Sequence, residues 1–251
     1  MKKIVIGNLK ANPAKFAQVE ALFKSTRNVS SKMRTVEALL AAPSIFISGL
    51  KKYKSMLSAQ DISLQSEGAH TGEVTGLMLR DVGVRYVIVG HSERRAKGET
   101  NADVSTKIKQ AWKSHIVPVV CVGEDARDEK GTFWHALGAQ IRETFAGVQK
   151  SWLKEIVIAY EPVWAISTSE NRKNVMPEEI HEAVLYIRKV LADMYDRKES
   201  AKVRVVYGGS VNAKNVEDIL EKGNVSGLLV GKASLNAKEF AKILQIANKI
   251  K

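Results

Sequence analysis

A chain of 251 residues with 45% hydrophobic and 26% charged residues has the composition of a folded globular protein and leaves little room for extended disorder. The formal charge of +12 admits a nucleic-acid partner, but the cations recur along helix-like stretches at 107–113 and 238–251, as solvated helix faces do, and no nucleic-acid recognition motif accompanies them. The apolar run Ile4-Val5-Ile6 after Met1-Lys2-Lys3 is too short for a signal peptide or for a membrane span of about 20 residues, so a cytoplasmic protein without a membrane partner is expected.

Taken in chain order, short apolar runs at 4–6, 36–41, 56–60, 86–89, 117–122, 156–159, 203–207 and 228–230 predict strands, the third being the weakest. Runs so continuously apolar suit strands buried on both faces of a parallel sheet. Each is followed by a loop and a stretch of helical spacing. Helix starts are legible at Thr100 to Asp103, at Pro177 with Glu178 and Glu179 behind it, and at Asn236. Cys121 is the single cysteine and lies inside an apolar run, so it is expected to be a small buried hydrophobe. The strand-then-helix rhythm predicts an α/β fold, a (β/α)8 barrel of eight parallel strands with outer helices, forming one catalytic domain over 1–251.

The polar residues are informative because of where they fall. Asn8 and Lys10 follow the first run, His91 and Glu93 the fourth, Glu161 the sixth, Ser210 the seventh and Gly231 the eighth. Those are carboxyl ends of barrel strands, where such barrels place their active sites. A carboxylate there can serve as a general base, although a lone acid at a strand end is as readily a helix-cap or salt-bridge partner. His91 opens a short turn or helix, whose positive end suits a hydrogen-bond-donating imidazole facing a developing oxyanion. Lys10 can balance negative charge in the same mouth, while Asn8 alone could merely cap a turn. Tyr207-Gly208-Gly209-Ser210 and the run ending in Gly231 bring side-chain-free backbone to two adjacent strand ends, which lets N–H groups approach a phosphate.

Six segments in order, Gly-Asn-Leu-Lys-Ala-Asn at 7–12, Gly-Ala-His-Thr-Gly-Glu at 68–73, Gly-His-Ser-Glu-Arg-Arg at 90–95, Cys-Val-Gly-Glu at 121–124, Tyr-Glu-Pro-Val-Trp-Ala-Ile at 160–166 and Tyr-Gly-Gly-Ser-Val at 207–211, resemble the motifs of the triosephosphate isomerase family. The resemblance spans nearly the whole chain. It implies the TIM-barrel fold and, without metal or cofactor, the interconversion of dihydroxyacetone phosphate and D-glyceraldehyde 3-phosphate. Position by position it implies Glu161 as the proton shuttle, His91 as the electrophile, Lys10 and Asn8 as charge partners, and Glu93 in support. It further implies phosphate contacts from Ser167, Ser210, Gly231 and the neighbouring Lys232, and a lid running through Pro162, Val163, Trp164, Ala165, Ile166, Ser167, Thr168 and Ser169. A homodimer is implied too, with Thr71 reaching the partner's active site and Glu73 pairing with Arg94.

The chain departs from the family pattern in several places. Ser167 and Ser169 stand where the lid tip usually has glycines, and the lid is about three residues longer than usual by loop-length comparison. Leu9 replaces a tryptophan, His70 a phenylalanine, Asp61 an asparagine, and Lys232 a second glycine. The alternative to an active isomerase is a catalytically impaired barrel homologue serving as a binding or scaffold protein, which has no physical need to keep Asn8, Lys10, His91, Glu93 and Glu161 together.

Overall fold

All eight apolar runs form strands: β1 (Lys3–Asn8), β2 (Val36–Ala42), β3 (Leu57–Ala59), β4 (Tyr86–Val89), β5 (Val117–Val122), β6 (Val157–Tyr160), β7 (Arg204–Tyr207) and β8 (Gly227–Val230). This computed structural model describes residues 2–128, 130–165 and 175–250. Neighbours in sequence pair in parallel, and β1 pairs with both β2 and β8, so the sheet closes into a barrel. The boundaries of β6 lie one residue later than the 156–159 expected from the apolar run, which makes Tyr160 its last residue and puts Glu161 directly at the mouth.

Alternation along the strands explains why both faces had to be apolar. Ile4 and Ile6, Leu39 and Ala41, Val119 and Cys121, and Val157 and Ala159 belong to a cluster built from strand residues alone, the barrel interior. Their alternates, such as Val5, Leu40, Val120 and Ile158, pack outward with Phe23, Ile108, Leu137, Val184 and Phe240 from the surrounding helices. Each fully buried aliphatic side chain contributes about 1.5–3 kcal/mol by area.

The helix starts follow their sequence signals. Before helix Asn101–Lys113, Thr100 Oγ1 accepts from the Asp103 N–H at 3.1 Å and Asp103 Oδ2 accepts from the Thr100 N–H at 2.9 Å, a reciprocal cap. Pro177 occupies the first position of helix Pro177–Met194, where no amide donor is needed.

Lys107 departs from expectation. Instead of lying on a solvated face it is 3% exposed, with its ammonium hydrogen-bonded to Glu99 and to Asp61 Oδ1 at 2.6 Å. Arg94 completes the group, 2.8 Å from Asp61 Oδ2 and 3.1 Å from Glu99 Oε1. Burial pushes the Asp61 carboxyl up, with Lys107 and Arg94 opposing. With Asp61 beside Glu99, the cluster has two acids for its two cations. No helix among the described residues is long and apolar enough to cross a membrane.

Candidate active site

The strand ends gather Asn8, Lys10, His91, Glu161, Ser210 and Gly231 around one cavity of about 240 Å³, and Lys232 stands at the same wall. Asn8 is the last residue of β1 and is buried. Its Oδ1 accepts from the Lys10 N–H at 3.0 Å, so it does cap a turn, and the same turn aims Lys10 inward. Lys10 takes a left-handed backbone (φ 52°), unusual for a side chain with a Cβ, and Gln60 Nε2 donates to its carbonyl at 2.8 Å. The ammonium then bonds to Glu93 Oε1 across the mouth.

His91 caps helix Ser92–Arg95 through its ring. Nδ1 accepts from the Glu93 N–H at 3.2 Å, which assigns the ring proton to Nε2. Nε2 lies 3.3 Å from Glu161 Oε1, and the Ser92 N–H donates to Glu161 Oε2 at 3.3 Å. Glu161 is 3% exposed, and its carboxylate lies beside the imidazole with the Ser92 N–H as its hydrogen-bond donor. Two glycines make room for it. A Cβ on Gly123 would fall 1.8 Å from the Glu161 carbonyl oxygen, and one on Gly208 would fall 2.7 Å from Glu161 Cγ. Burial, followed by the Glu161 charge, pushes the Cys121 thiol well up, which leaves it protonated and inert as the sequence led one to expect.

Of the stretch expected to form a lid, Pro162 to Ala165 are described, with a 3₁₀ turn at Val163–Ala165 rooted on Glu124. The Val163 N–H donates to the Glu124 carbonyl at 3.0 Å and the Trp164 indole to Glu124 Oε1 at 3.1 Å. The same oxygen accepts from Tyr160 at 2.8 Å and from Arg127 Nε at 2.9 Å, while Arg127 reaches on to Glu179 at 3.0 Å. Burial, then the Glu124 charge, holds the Tyr160 phenol above its ordinary range, so it remains a donor. Ile166, Ser167, Thr168 and Ser169 lie outside the described residues.

Glu93 and Arg94 sit beside the cavity, with Glu73, on a separate groove of about 510 Å³ that also reaches Lys10. Thr71 and Glu73 belong to an exposed loop over 65–73. Within the chain Arg94 pairs with Asp61 and Glu99 and makes no ion pair with Glu73. Gln60, Arg127 and Glu239 have no role legible in the sequence, Glu179 is legible there only as part of a helix start, and Glu124 only as part of a motif. Among the described residues no group of three or more His, Cys, Asp or Glu is arranged to hold a metal ion.

With proton-transfer groups and anion-ready loops at one end of a closed barrel, the chain falls in the class of (β/α)8 enzymes that do acid–base chemistry on small anions. A sequence model of the triosephosphate isomerase family matches residues 3–247. The triosephosphate isomerase of Dictyoglomus thermophilum is 38% identical over 250 residues, 97% of this chain and 99% of that protein. That of Rhodopirellula baltica is 37% identical over 250 residues, 97% of each, and that of Thermus thermophilus 47% identical over 191 residues, 75% of each. The chain belongs to the triosephosphate isomerase family.

Proposed function

We propose that the chain interconverts dihydroxyacetone phosphate and D-glyceraldehyde 3-phosphate through an enediolate, as a single catalytic barrel domain over 1–251 that uses no cofactor and works in the cytoplasm. The observation that carries this reading is the 3.3 Å approach of Glu161 to His91 Nε2 within a cavity that Lys10 also lines. Glu161 takes a proton from the carbon beside the carbonyl and returns it to the next carbon. His91 Nε2–H donates to the substrate oxygen on which charge develops, replacing its contact with Glu161. The Lys10 ammonium, held by Glu93, and the Asn8 amide balance that charge. Ser210, Gly231, Lys232 and Ser167 receive the phosphate. Residues 162–169 close over the intermediate, since an enediolate phosphate exposed to water can lose its phosphate. A coupled assay on D-glyceraldehyde 3-phosphate tests the reading. A folded parent protein without turnover would overturn it in favour of an impaired barrel with a binding role.

Gly208→Ala is expected to push the Glu161 carboxylate off its line and lower kcat about 100-fold, the scale of a 1 Å misplacement, with an unchanged thermal melting point. Steady-state kinetics beside a melting curve checks this, and a variant with parental kcat would contradict it.

The second copy of a homodimer is part of the same reading. The exposed loop over 65–73 and the groove beside Lys10 and Glu93 support it, with Thr71 and Glu73 entering the partner and Arg94 receiving Glu73. Sedimentation at assay concentration is expected to show a dimer, with activity falling on dilution; a fully active monomer would contradict it.

A further inference from the structure

Glu239 lines the substrate cavity, yet by sequence position it has only a local part to play. It is the third residue of helix Ala237–Lys249 and follows the cap Asn236 by three, the spacing at which a glutamate reaches back to the N–H of its own cap residue. Here the Asn236 N–H goes to the Ala233 carbonyl at 3.3 Å instead. Glu239 Oε1 accepts from the Ala213 N–H at 2.8 Å, 26 residues away, in the loop that follows β7.

That loop carries Ser210 and is knit into one unit. Asn215 Nδ2 donates to the Ser210 carbonyl at 2.9 Å and Asn215 Oδ1 accepts from the Asn212 N–H at 2.9 Å. The loop after β8 is fixed on its other side, where Ser234 Oγ donates to the Gly231 carbonyl at 2.7 Å and lies 3.3 Å from the Asn8 carbonyl. Between the two loops the sheet itself offers little. β7 and β8 share one register pair, Tyr207 with Leu228, whereas β1 and β2 share six.

We propose that Glu239 is a positioning residue for the phosphate end of the substrate: it ties the Ser210 loop to the helix that follows the Gly231 loop and so sets the gap in which the phosphate sits. This rests on the isomerase reading. The tie needs an acceptor at this place and does not need a charge. A helix-end carboxylate acting only on the helix dipole would influence stability without distinguishing substrates.

The experiment compares Glu239→Ala and Glu239→Gln with the parent on D-glyceraldehyde 3-phosphate and on D-glyceraldehyde, which has the same reacting carbons and no phosphate. Glu239→Ala is expected to lower kcat/KM for the phosphorylated substrate and to weaken inhibition by inorganic phosphate about ten-fold each, the scale of one lost hydrogen bond to a charged group. Turnover of D-glyceraldehyde should stay within about two-fold, and Glu239→Gln should restore both phosphate readouts to within about three-fold of the parent. Equal losses on both substrates, or no loss on either, would overturn the proposal. Should the parent turn over neither substrate, the isomerase reading fails. Calorimetric titration of inorganic phosphate into parent and Glu239→Ala then decides the tie, weaker binding in the variant supporting it and equal binding overturning it.

Discussion

Glu161→Gln is expected to lower kcat by between about 10² and 10⁴-fold while leaving KM within a few-fold, the signature of losing a general base and little else. The substitution is nearly isosteric. The amide oxygen can still accept from the Ser92 N–H, which holds Oε2 at 3.3 Å, and the side chain still fits the space left by Gly208. Folding and substrate affinity should therefore survive, and the loss should fall on the chemical step. Steady-state kinetics on both triose phosphates, beside a melting curve, checks this. Residual kcat within ten-fold of the parent would remove Glu161 from the role of base.

Lys10→Met is expected to lower kcat/KM by about 10² to 10³-fold, with kcat and KM both affected, because the ammonium faces substrate charge before and during proton transfer. Methionine keeps the length of the side chain and bears the same left-handed backbone, which Asn8 and Gln60 hold from either side. The change also leaves Glu93 without its cation, so the mouth would present an uncompensated carboxylate to a phosphate dianion. Glu93→Gln in the Lys10→Met background should recover part of the lost affinity. Failure of the double variant to improve on the single one would show that the missing ammonium, and not the stranded acid, accounts for the whole loss.

The barrel was legible because its signal is local and repeated. Each strand is a short apolar run, and Thr100, Pro177 and Asn236 announce helices within three or four residues of where they act. The residues gathered around the cavity were legible for a related reason: Asn8, Glu161 and Gly231 are fixed by position relative to a strand end, which fold class alone supplies. What escaped was long-range. Gln60 meets the Lys10 carbonyl across 50 residues, Tyr160 meets Glu124 across 36, and Lys107 meets Asp61 across 46. Helical spacing shows which face a lysine occupies but not whether a carboxylate from another loop waits there, so Lys107 reads as a surface cation and is a buried one. Glu239 was obscured differently, because its spacing from Asn236 already offered a sufficient local explanation.

Glu161 Oε1 lies 3.3 Å from His91 Nε2, so a substrate oxygen that is to reach the imidazole is expected to need the carboxylate to move aside. Moving it is expected to offset part of the attraction between the site and its substrate. Because that cost is carried by the bound ground state and the transition state alike, it is expected to appear in KM and to leave kcat unchanged.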